Sequence, residues 1–86
     1  MENNEKNINE MMDPTVLLDL VTTEMPYGKY KGVKLCNLPE YYVVWYHENG
    51  FPSGRLGMLL STLYEIKIYG LEYLLNPIKK RYDALL

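Results

Sequence analysis

The chain has 86 residues, 48% of them hydrophobic, and a formal net charge of −2. Chains divide into domains at roughly 100–150 residues, so this is one small domain, and it buries only about 60% of its unfolded surface, which demands a dense apolar core. No stretch approaches the ~20 consecutive apolar residues of a membrane span, and the single cysteine, Cys36, excludes an internal disulfide framework.

A lone cysteine suits a reducing compartment, and no cationic start followed by an apolar run opens the chain. A soluble cytoplasmic protein without a signal peptide is therefore expected. The charge is unevenly spread. Residues 1–24 carry six acids against Lys6, giving −5, while residues 25–86 carry eight basic residues against five acids, giving +3. That mild excess alone does not diagnose a nucleic-acid partner, whose usual footprint is a domain pI above about 9. Nine tyrosines against one tryptophan and one phenylalanine are unusual for a core. A buried phenol needs a hydrogen-bond partner, so several of these rings should lie at the boundary with the hydroxyl wet.

In chain order, residues 1–12 are polar and acidic apart from Ile8 and three methionines, and read as a frayed or disordered leader. The globular domain is expected over 13–86. Asp13 is a good N-cap, Pro14 suits the first helical position, and Val16, Leu17, Leu20 and Val21 follow at helical spacing. This helix should stop before Pro26. Next comes "YGKYKGVKL", a connection that reads as a β-hairpin. Gly32 suits a left-handed turn position, Gly28 marks a close approach or twist, and Val33 and Leu35 share a face.

"NLPEYYVVWYHENG" predicts a second helix stopped by Gly50, with Tyr42, Val43, Trp45 and Tyr46 recurring about one turn apart and Trp45 anchoring the core. "FPSGRLGMLLSTLYEIKIYG" predicts the longest helix, capped by Ser53 and ended by Gly70. Leu56, Leu59, Leu60, Leu63 and Ile66 form its apolar stripe, with Ser61, Thr62 and Glu65 opposite. Gly57 inside it costs up to about 1 kcal/mol against alanine, which implies that a neighbour packs closely there. Asn76-Pro77 should break the final segment, Asn76 capping a last helix through Lys79–Arg81. The expected fold is therefore α+β and mainly α, with three to four helices packed around one small β-hairpin.

Residues 25–75 resemble a family of small bacterial domains known as putative quorum-sensing-regulated virulence factors. The resemblance is carried by Met25-Pro26-Tyr27-Gly28-Lys29-Tyr30-Lys31-Gly32, by Leu38-Pro39 with Tyr42 and Trp45, by Gly50-Phe51-Pro52 and Leu56-Gly57, and by Tyr64-Glu65-Ile66-Lys67 with Gly70-Leu71. The family usually has Phe where this chain has Tyr27. The resemblance implies a fold and a regulatory association, and it brings no catalytic residues. The stretch over residues 27–32 is also similar to an "FGKYKG"-type segment found behind certain exonuclease domains, which implies nucleic acid.

Catalytic chemistry finds little support in the residues. His47 and Glu48 are adjacent on a helix and face different directions, so they make no natural acid–base dyad, and a histidine near a helix C-terminus complements the dipole. Cys36 reads as a small buried residue, and one His with one Cys makes no zinc constellation. No enzyme, cofactor or metal site is expected.

Two binding roles remain. In the first, Lys29, Lys31 and Lys34 project from the turn to neutralise phosphates, with Tyr30 at its tip to stack on an unpaired base and Arg55 extending the surface. Against it, exposed strand edges carry lysines simply to prevent aggregation, and Tyr30 can equally fold back onto the second helix. In the second, the chain is a protein-interaction adaptor or homodimer presenting Tyr41, Tyr46, Met58 and Tyr69, since tyrosine is enriched at interface hot spots. The −5 leader could also lie over the lysines and compete with a polyanion.

Overall fold

The computed structural model describes residues 13–85. The leader expected over residues 1–12 lies outside the described residues. Asp13 caps helix α1 (Pro14–Thr22): its carboxylate accepts a 2.9 Å hydrogen bond from the Thr15 amide, and Pro14 occupies the first turn. Such a cap satisfies one of the amides that a helix start leaves without a partner. Leu17, Leu20 and Val21 form the buried face of α1.

Helix α2 (Glu40–Asn49) begins after Pro39 and ends at Gly50, whose φ of 103° carries the chain out of the helix. Helix α3 (Gly54–Ile68) is the longest and turns Leu59, Leu60, Thr62, Leu63 and Ile66 inward. Ser53 stands at its N-cap position without a side-chain cap bond. At its far end the Leu71 amide reaches back to the Ile66 carbonyl at 2.8 Å and Gly70 to Lys67 at 3.2 Å, with Gly70 at φ 68°. This is the glycine-closed helix end that leaves few carbonyls unpaired. A 3-10 turn (Glu72–Leu75) then leads into α4 (Asn76–Leu85), of which Asn76 is the first residue rather than the cap.

The expected β-hairpin does not form, and with it the α+β reading is overturned. The described residues contain four α-helices, two 3-10 turns and no strand; the fold is all-α. Residues 23–35 make a closed loop pinned by one antiparallel bridge, Glu24 to Lys34. Three backbone bonds hold its neck: Met25 N–H to Val33 O at 2.8 Å, Gly32 N–H to Met25 O at 2.8 Å, and Leu35 N–H to Thr23 O at 2.9 Å. The reason it stops there is local. Pro26 has no amide to donate to a further rung. Gly28, at φ 81°, swings the outgoing arm away two residues later. On the return arm Leu35 enters a 3-10 turn (Leu35–Asn37) at once. The glycines thus serve a turn, as expected, but neither arm is long enough to be a strand.

The core lies between α1, α3 and α4. Leu20, Leu35, Leu60, Leu63 and Ile66 are wholly buried in it, with Val43 entering from α2 and Leu75 from the second 3-10 turn. Helix α2 packs along α3, and α1 touches α3, α4 and both 3-10 turns. Thr62, expected on the polar side of α3, is buried instead, its hydroxyl satisfied by a 2.9 Å bond to the Met58 carbonyl. At Gly57 a Cβ would stand 1.6 Å from the Pro52 carbonyl oxygen, so the close neighbour is the α2–α3 connection folded back over α3. Among the described residues no helix is long and apolar enough to cross a membrane.

Candidate nucleic-acid interface

The closed loop and α2 together build one face. Two successive turns, Lys31 N–H to Gly28 O at 3.1 Å and Val33 N–H to Tyr30 O at 3.0 Å, fix the loop tip and leave Lys29 and Lys31 exposed on it. Tyr30 does not stand at the tip. It folds back onto α2, where its ring meets Tyr42 edge-on at 4.7 Å between centroids. Gly28 allows this approach, since a Cβ there would press on the Tyr42 hydroxyl at 3.0 Å in addition to opposing the positive φ.

From Tyr30 an arc of edge-to-face rings runs in both directions. One arm goes to Tyr41 (6.3 Å, 66°), the other through Tyr42 to Tyr46 (5.3 Å, 89°) and on to Trp45 (5.1 Å, 86°). The interior members Tyr30, Tyr42 and Tyr46 pack against the core. The two ends are open: Tyr41 is 57% exposed and Trp45 53%. Trp45 is thus not the core anchor that its spacing predicts. Helix α2 turns Val43 inward, and positions 41, 45 and 48 fall on the solvent side. The signal that would have placed Trp45 correctly is Glu48, less than one turn further along the same stripe.

Lys29 is built into the arc. Its ammonium donates to the Tyr41 hydroxyl at 3.1 Å and lies 5.5 Å from the centroids of both the Tyr30 and Tyr41 rings. The hydroxyls of Tyr30 and Tyr41 share a short hydrogen bond. These contacts move three proton affinities in a consistent way. The hydrogen bond from Tyr30, and then that from Lys29, lower the pKa of Tyr41. The same Tyr41 bond raises Tyr30, and the hydrogen bond to Tyr41 raises Lys29. Negative charge is thereby favoured on Tyr41 and the positive charge kept on Lys29. Tyr46 is pushed up to about 12, chiefly by burial and next by its hydrogen bond with Tyr42.

The other expected basic residues are engaged elsewhere. The Lys34 ammonium pairs with Glu24 at 3.4 Å, donates to the Thr22 carbonyl at 3.3 Å and lies 5.7 Å over the Tyr82 ring. Arg55 forms a two-nitrogen pair with one oxygen of Asp19, tying α3 to α1. Lys31 has no ion-pair partner among the described residues. Of the expected basic surface, then, Lys29 and Lys31 remain at the loop tip on the side of the aromatic rings, while Lys34 is paired with Glu24 at the loop neck and Arg55 with Asp19 of α1.

The expected protein-facing residues divide likewise. Tyr41 belongs to the arc, Tyr46 is half-buried within it, and Met58 and Tyr69 line an open groove of about 860 Å³ along α3 with Phe51, Tyr64 and Ile68. At that groove His47 stacks flat on Tyr64, 4.0 Å between centroids and 9° between planes. Cys36 is buried, and burial raises its thiol pKa against the lowering influence of Lys79, Lys67 and Lys34.

The chain is 41% identical over 70 residues to the Escherichia coli K12 protein named "Uncharacterized protein YpeB", the alignment covering 80% of this chain and 97% of that one. The Escherichia coli O157:H7 protein of the same name gives the same identity and coverage. No solved structure matches the chain. A family model described as "Putative quorum-sensing-regulated virulence factor" matches residues 13–78, from the cap of α1 into the first turn of α4, and the chain belongs to that family.

Proposed function

We propose that this chain is a small non-catalytic binding module that holds nucleic acid on the face formed by the closed loop and α2. The observation that supports this most directly is the placing of the exposed Lys29 and Lys31 on one hydrogen-bonded turn, with Lys29 against the exposed ring of Tyr41 and Trp45 exposed one turn further along α2. Cations that neutralise phosphates and rings that accept bases are the two elements of such a surface. A non-catalytic role fits the state of the two most reactive side chains, since His47 is stacked on Tyr64 and the Cys36 thiol is buried with its pKa raised. The protein-adaptor reading has less behind it, because the four tyrosine and methionine positions it needs are split between the arc and the α3 groove.

The test is fluorescence anisotropy of labelled DNA and RNA titrated with protein at increasing salt. Two phosphate contacts should give a log–log salt slope of about −1.4 to −1.8, from 0.7–0.9 per phosphate. The variant Lys29→Glu with Lys31→Glu should abolish binding, while Lys34→Ala, which removes a cation already paired with Glu24, leaves the slope unchanged. Binding that survives the double substitution, or no binding at low salt, would overturn the reading and direct attention to protein partners.

A further inference from the structure

We infer that this face selects single-stranded over duplex nucleic acid, unpaired bases stacking on Tyr41 and Trp45. The inference rests on the nucleic-acid reading above and adds the class of ligand.

Three observations carry it. The first is the register of the two rings. Tyr41 and Trp45 are four residues apart on α2, so they lie on one face of the helix about 6 Å apart along its axis. That is close to two steps of the 3.4 Å spacing of stacked bases, which suits bases drawn apart from each other and not a continuous stack. The second is bracing. Each exposed ring is held from behind: Tyr41 by the Tyr30 hydroxyl and the Lys29 ammonium, Trp45 by the edge contact with Tyr46. A ring fixed before the ligand arrives loses little freedom on binding, which favours a stacking role.

The third is what the face lacks for a duplex. A helix that enters the major groove contacts phosphates and base edges with basic and amide side chains. Along α2 the exposed carboxylates of Glu40 and Glu48 would meet the phosphates of a stiff duplex laid on the helix, whereas a flexible strand can turn its phosphates away from them. The basic residues of the face are confined to the loop tip, beside one end of the aromatic pair. The exposed rings of Tyr41 and Trp45 offer planar surface on which unpaired bases can stack, whereas a duplex hides its base faces in its own stack. A strand tracking from Lys29 and Lys31 along α2 would place phosphates on the lysines and bases on the rings.

Trp45 is the only tryptophan, so its emission reports on this surface alone. The probes are an unstructured oligonucleotide of roughly 12 nucleotides, within the site sizes of small single-strand binders, made as DNA and as RNA, and the duplex of each with its complement. The intact protein should bind at least one single strand more tightly than its duplex and lose Trp45 emission on binding. Tyr41→Ala and Trp45→Ala should each weaken single-strand binding roughly 5- to 150-fold and bring it towards the affinity for duplex, and Tyr41→Phe should restore most of the loss. Both alanine variants alter exposed side chains, and an unchanged far-UV circular dichroism spectrum with a single cooperative melt confirms that they fold. Equal binding of strand and duplex with unchanged emission would overturn the inference and leave the nucleic-acid reading standing. Failure of every probe to bind would overturn both.

Discussion

The two sides of this small fold are built from different materials. Between α1, α3 and α4 the packing is aliphatic: Leu20, Leu60, Leu63 and Ile66 are fully buried and carry no polar atom that needs a partner. Across the closed loop and α2 the packing is aromatic, an arc of four tyrosines and Trp45 in which phenol hydroxyls bond one another and Lys29. Burying a phenol costs free energy unless its hydroxyl is satisfied, so the second side gains less stability per ring than its area implies. It gains instead rigid, half-exposed surfaces. The aliphatic side thus carries most of the stability, and the phenolic side presents the exposed rings.

The strongest way to break that division is to truncate one residue on each side. Leu63→Ala removes a wholly buried side chain from α3 and should cost about 3–4 kcal/mol, since the surrounding helices can relax only partly into the space. Tyr41→Ala removes an exposed ring with one edge contact and two hydrogen bonds, and should cost about 1 kcal/mol or less. Urea unfolding of both variants measures the contrast. Equal losses would mean that the arc is as much a part of the core as α3.

Gly57 sharpens the comparison, because it shows how tightly the aliphatic side is closed. In an ordinary helix interior, Gly→Ala stabilises by up to about 1 kcal/mol. Here the new methyl would collide with the Pro52 carbonyl, and that oxygen is backbone, so the α2–α3 connection must move. Gly57→Ala should therefore destabilise by about 1–3 kcal/mol, the usual range for overpacking. A gain in melting temperature would show that the connection yields freely.

Much of the helical frame is legible in local chemistry. Asp13-Pro14, Gly50, Gly70 and Asn76-Pro77 fall within two residues of where the helices begin and end, although Asn76 is a helical residue and not the cap. The hairpin was misread because a glycine-rich turn looks the same whether or not strands extend from it. Ladder length depends on Pro26 and on the early 3-10 turn at Leu35, features of the arms and not of the turn. Within the site, Lys29, Tyr30 and Lys31 are neighbours in sequence and so could be grouped at sight. That Lys34 and Arg55 are drawn off by Glu24 and Asp19 is a tertiary fact, in the second case across 36 positions of chain. Trp45 was hidden by composition: every residue from 41 to 46 is aromatic or aliphatic, so no period distinguishes the inward face of α2 from the outward one.

Tyr46 is where the two sides meet, and it carries the smallest expected effect. Its ring packs on the core and touches both Tyr42 and Trp45, while burial first, and the bond with Tyr42 next, push its pKa up to about 12. An unfolded tyrosine ionises near pH 10, roughly. Between about pH 10 and pH 12 the unfolded chain has therefore released a proton that the folded chain retains, so stability falls as pH rises through that window. Below it both states hold the proton and the contribution is constant. Tyr46→Phe removes the ionising group and keeps the ring, so its urea midpoint should decline less steeply than that of the parent over the same window, with little difference near neutral pH. Parallel curves would mean that the Tyr46 hydroxyl is as well hydrated as that of Tyr41, which would extend the exposed face by one more ring and shift the boundary between the two sides inward to Tyr42.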